Sequence, residues 1–225
     1  MTDINNDRVY SKLTTYLATN YGVRVRYKDE SRLMRFIGWL MFFNRAFMTR
    51  YTTTLGRTVY FPTRGKENWE TLAHEAVHVL DYANAPVRFA LGYVMPQGLA
   101  AFALIALAAF VIPVFLVTLL FLVAAGPWPS PWRLKRERRG FRMTIACSNL
   151  RSGPVPTRSP DFQDWLAREI YCGYGYYRMK RDVGDARMMA WQDTLYGELL
   201  AAPSLSGLTG HREHIEILKA IRSAI

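Results

Sequence analysis

Residues 74–78 read His-Glu-Ala-Val-His, and this short run constrains the chain more than any other part of it. On a helix, positions i and i+4 lie one above the other, so His74 and His78 can reach a single metal ion. Glu75 then falls beside that metal, placed as general base toward a water that the metal activates. With four histidines in 225 residues, the pattern is expected by chance only about 0.003 times. The flanks predict the helix that the spacing needs. Trp69, Leu72, Ala73, Ala76, Val77 and Leu80 recur at the three-and-four spacing of one buried stripe, with His74, His78 and Asp81 on the adjacent one. Pro86 marks the far end. A core helix that merely carried two satisfied histidines would have no need of the glutamate between them.

The rest of the composition narrows the setting. At 225 residues the chain can bury a sizeable core, and a net charge of +11 calls for an anionic partner. Phospholipid headgroups, nucleic acid and an acidic protein all meet that need, but no nucleic-acid recognition motif accompanies the charge. Cys147 and Cys172 are the only cysteines, which is no disulfide framework and suggests a reducing compartment. The polar, acidic start of the chain does not read as a cleavable signal peptide.

Before the motif, residues 7–20 are spaced as a helix and Val23–Tyr27 alternates as a strand. Residues 31–46 read as an apolar helix whose stretch from Phe36 to Phe43 is too short to span a bilayer and is expected in the core. Met48–Thr53 and Arg57–Phe61 flank Leu55-Gly56 and predict a hairpin. After the motif, no residue between Arg88 and Arg133 is charged. Residues 89–126 are mostly Ala, Leu, Val, Ile and Phe, broken by Pro96 and Pro113. One span needs about 20 residues, so this stretch is long enough for a crossing, a re-entrant hairpin or a buried helical hairpin.

The run 54–61 followed by 72–82 resembles the core of a zincin metallopeptidase, closest to the compact metallopeptidase domains of bacterial and phage proteins. The resemblance covers residues 48–82 well and the remainder loosely. It implies a zinc ion, and an edge strand (Val59–Phe61 or its hairpin partner) along which an extended peptide can pair. It also implies a third ligand, leaving one position for water. The metzincin pattern places that ligand ten residues after the first His, but position 84 is Asn and position 81 is Asp rather than Gly. Gluzincins take a Glu from a later helix instead, and Glu137 is the candidate. In the strongly basic run 133–142 it is the only carboxylate, and as a helix Leu134, Glu137, Phe141 and Ile145 share one face. An unpaired carboxylate on an inward face is costly, and a metal would satisfy it. Gly140 on the same side would let this helix approach the motif helix closely. The alternative is a surface Glu balancing its basic neighbours. The gluzincin ExxxD pattern is broken, since position 141 is Phe.

Other roles stay more open. Asp81 is placed either to orient a ligand histidine or as a helix-end charge. His211 and His214 are expected on a solvated helix face, with a role as metal ligand or transition-state donor as the alternative. The resemblance implies a downstream Tyr as oxyanion donor, and within Tyr171–Tyr177 we take Tyr174.

If Glu137 and the motif share a metal, a single membrane crossing between them is excluded and the apolar stretch must return. Trp128, Trp132 and the basic run 133–142 have the character of a membrane interface on the cytoplasmic side. The expected fold is α+β and mainly helical, a zincin-like core with a small antiparallel sheet or hairpin beside the motif helix. Residues 1–88 and 133–225 form the catalytic domain, and 89–132 an inserted apolar helical hairpin, membrane-associated or buried. The expected activity is zinc-dependent peptide hydrolysis at a membrane surface, with a peptide substrate and anionic lipid as partners. The alternative is a non-enzymatic membrane-active or virion component with a structural or relict metal site.

Overall fold

The computed structural model describes residues 5–40, 44, 46–95, 99, 102, 103, 105, 113–125, 131–152, 160–168 and 212–225. Among the described residues the chain is mainly helical, with one small three-stranded sheet. Its elements are α1 (Asn6–Tyr21), β1 (Arg24–Tyr27), α2 (Arg32–Leu40), β2 (Thr53–Leu55), β3 (Thr58–Phe61), α3 (Trp69–Asn84), α4 (Pro86–Val94), a 3-10 helix (Pro113–Ala125), α5 (Pro131–Ser152), α6 (Pro160–Ala167) and α7 (Arg212–Arg222). They fall into two compact units, residues 1–86, 139–155 and 201–225 in the first, and 87–138 with 156–200 in the second.

In the first unit, local chemistry sets the helix ends. Asn5 caps α1 by accepting from Arg8 N at 3.0 Å, and Gly22 closes it in the left-handed conformation. Asn68 caps α3, accepting from Glu70 N at 2.7 Å, with Glu70 complementing the helix dipole. The core joins Val9, Leu13 and Leu17 of α1 to the expected stripe of α3, and Ile217, Leu218 and Ile221 of α7 pack there too. Met143 and Cys147 of α5 complete it. Cys147 is a free thiol whose pKa burial pushes up.

The sheet runs β1-β3-β2. β2 and β3 form the expected hairpin, with its first strand later than Met48–Thr53, and Gly56 at φ 62° supplies the positive φ of a two-residue turn. β1 pairs with β3 in parallel, so the sheet is mixed rather than antiparallel. A parallel pair needs a crossover, and α2 lies on it. Among the described residues β3 is therefore central, with β1 at one edge and its hairpin partner β2 at the other.

Strand alternation divides the sheet faces. Val59 and Phe61 point into the core with α1 and α3, whereas Tyr60 packs with Met34 and Phe47 on the face that carries α2. The expectation that the apolar stretch from Phe36 is core is corrected here. Phe36 is 57% exposed and Trp39 is 70% exposed, because α2 turns only Met34, Ile37 and Gly38 inward. The remainder of that stretch, residues 41–43, lies outside the described residues.

In the second unit, α4 stops at Val94, two residues before Pro96, which disfavours helix in the residue preceding it. Arg133 Nε donates to Tyr93 O at 3.0 Å, and Arg136 donates to Arg88 O at 3.1 Å. The two ends of the uncharged stretch are thus held together, and the Phe102 and Phe121 rings meet within it at 5.4 Å. The described parts of its interior are 3-10 helical. Among the described residues, no helix is long and apolar enough to cross a membrane.

Candidate metal centre

Helix α3 buries His74, Glu75, His78 and Asp81. The two imidazole rings stand 5.1 Å apart, as one helical turn dictates. Helix α5 meets them with its smallest residue. A Cβ on Gly140 would lie 2.6 Å from His74 Cε1 and 2.8 Å from Cδ2, so only glycine permits this approach. Phe141 presents a ring edge-on to His74 at 5.1 Å. One turn further, Thr144 Oγ1 lies 3.0 Å from His74 Nδ1 and 3.3 Å from Gly140 O. With its hydroxyl proton directed to that carbonyl, Thr144 accepts from Nδ1–H. The tautomer so fixed leaves the Nε2 lone pair available to a metal.

Glu137 belongs to the same stripe of α5, three residues before Gly140, four before Phe141 and seven before Thr144. Leu134, Glu137, Phe141 and Ile145 are all buried, so the inward face read from the sequence is the inward face of the helix. A ligand atom from each of His74, His78 and Glu137 lies within 4.8 Å of the others. Glu137 is 1% exposed, and its Oε1 accepts a short hydrogen bond from Tyr93 OH. Arg133, whose guanidinium lies 5.5 Å from the Tyr93 ring centre, also grips that residue's carbonyl.

This donor set suits a metal. Two imidazoles and one carboxylate are donors of the kinds that hold a divalent metal ion. Among the described residues, no fourth His, Cys, Asp or Glu joins the group.

Glu75 faces the sheet. Thr54 pairs in register with Val59, so its side chain points to the α3 side, and its hydroxyl donates to Glu75 Oε2 at 2.6 Å. The general-base candidate is therefore tied to the edge strand. Lys28, just past β1, is fully buried, donates to Phe47 O at 2.7 Å and lies over the Phe47 ring at 3.9 Å. Burial pushes its pKa down to about 8, against the opposing pull of the Glu75 carboxylate.

Asp81 is buried and forms an ion pair with Arg139 of α5. His214 is 3% exposed, which corrects the expected solvated face, and it does not join the metal group. Tyr174, with the rest of Tyr171–Tyr177, and His211 lie outside the described residues, as do Cys172 and Trp128. Thr54, Tyr93, Lys28 and Thr144 are not singled out by sequence. Only Thr144 has a legible signal, its place on the Glu137 stripe of α5.

No protein-family model, no curated protein and no solved structure matches this chain.

Proposed function

We propose that this protein is a zinc-dependent metallopeptidase of gluzincin type. The observation that carries the reading is the convergence of His74, His78 and Glu137 with Glu75 beside them, held by the hydroxyl of the edge strand. A zinc ion held by the three side chains would supply a Lewis acid and make water a nucleophile near neutral pH.

The protein's own groups divide the remaining work. Glu75 takes the proton from the attacking water and returns it to the leaving amine. Thr54 holds Oε2 by its hydrogen bond, which leaves Oε1 as the oxygen for that proton. Thr144 fixes the His74 tautomer, and Tyr93 restrains Glu137. β2, an edge strand among the described residues, offers backbone groups to an extended peptide. Tyr174 is the proposed donor to the oxyanion.

We place this chemistry at an anionic membrane surface on the cytoplasmic side, with the uncharged stretch and the basic start of α5 as the lipid-facing parts. The joined ends of that stretch suit a segment that returns to where it began.

The test is Glu75→Gln, assayed on a peptide library with zinc content measured in parallel. Hydrolysis should fall by at least about 100-fold, the scale of lost general-base catalysis, with zinc retained. Full hydrolysis by this variant would refute the reading, whereas zinc without hydrolysis in the wild type would favour a structural or relict site.

A further inference from the structure

The α2 face left outside the core has a composition that suits a lipid surface. Leu33, Phe36 and Leu40 recur at three and four residues on that face, with exposures of 47%, 57% and 50%. Trp39, the most exposed of the group, stacks on Phe36 with ring centres 6.0 Å apart. Few soluble surfaces leave four large apolar side chains outward on nine residues, and such a patch marks an interaction site.

The charges beside it choose the partner. Arg32 and Arg35 are exposed on the same short helix, which contains no acidic residue. Strand β1 adds two more cations. Arg26 pairs in register with Tyr60, so Arg24 and Arg26 point to the sheet face that carries α2, and both are exposed. Of the two acids between β1 and α2, Glu30 is engaged by Arg64 at 2.7 Å, and the exposed Asp29 leaves the four arginines in excess. An apolar protein partner would not need two arginines on this helix and two more exposed on the preceding strand. A bilayer with anionic headgroups does, because aromatic and aliphatic side chains enter the headgroup boundary while arginines stay at the phosphates.

We propose that the outer face of α2, with Phe36 and Trp39 inserted and Arg24, Arg26, Arg32 and Arg35 at the headgroups, docks the protein on an anionic phospholipid surface. The proposal extends the membrane placement above to a different part of the chain. It makes no use of the metal chemistry.

The experiment uses the full chain and vesicles of phosphatidylcholine containing roughly one-third phosphatidylserine. Co-sedimentation gives the affinity, and brominated phosphatidylcholine reports which tryptophans reach the acyl chains. Phe36→Ser/Trp39→Ser and Arg32→Glu/Arg35→Glu should each weaken binding at least about tenfold, since one arginine near such a surface contributes about fivefold. Trp39→Phe should bind like the wild type but lose a share of the quenching. All these positions are exposed, and unchanged thermal melts would show that the variants fold. Binding by either double variant within twofold of wild type, or quenching unchanged in Trp39→Phe, overturns the proposal. So does failure of the wild type to bind. Vesicle binding that persists with no contribution from Trp39 would leave the uncharged stretch as the lipid-facing part and remove α2.

Discussion

Gly140 lies against the imidazole of His74 with no room for a side chain, so the contact between α5 and the motif helix depends on a missing Cβ. On the helix alone, Gly140→Ala would be favourable by about 1 kcal/mol. The clash reverses the sign, because overpacking costs roughly 1–3 kcal/mol and here the displaced group is a ring held on its other side by Thr144. The variant should melt at a lower temperature and bind zinc at least about tenfold more weakly. A stabilised variant with wild-type zinc affinity would show that the two helices do not meet as described.

Thr144 provides a gentler probe of the same ring. Thr144→Val keeps the volume and removes the oxygen 3.0 Å from His74 Nδ1. Zinc affinity should fall by about 10- to 100-fold, and Thr144→Ser should restore most of it. A titration of all three proteins checks both statements.

Lys28 gives the fold a dependence on pH. Its folded pKa of about 8 lies below its ordinary 10.5, so the folded state binds fewer protons between those values. Stability contributed through Lys28 therefore rises as pH increases from about 8 toward 10.5, and the cost of burying the charged form is present in full below 8. Tyr21 and Tyr27, raised to about 12, act in the opposite sense above pH 10. The measurement is thus a difference. The stability of wild type minus that of Lys28→Met, from denaturant melts, should increase between pH 8 and pH 10.

Part of this organisation is legible in sequence because it repeats along one element. The α3 stripe from Trp69 to Leu80 follows a 3.6-residue period, and the inward face of α5 can be read by asking which side of a basic helix carries its only carboxylate. Gly140 is legible for the same reason. An apolar run, by contrast, does not reveal its direction. Phe36, Trp39 and Leu40 are apolar on the outside of α2, and sequence does not tell that Met34 and Ile37 are the inward pair. The parallel pairing of β1 is hidden because it joins segments separated by α2 and β2. Thr54 and Tyr93 are hidden too, since each acquires its role from the register or approach of another segment.

Glu137 carries the central claim, because it alone of the proposed ligands lies outside the motif. The decisive measurement is calorimetric titration of zinc into metal-free wild type and Glu137→Ala. One zinc per wild-type chain, bound at least about 100-fold more tightly than by Glu137→Ala, is the predicted result. Equal affinity in the two proteins would contradict it and remove Glu137 from the metal site.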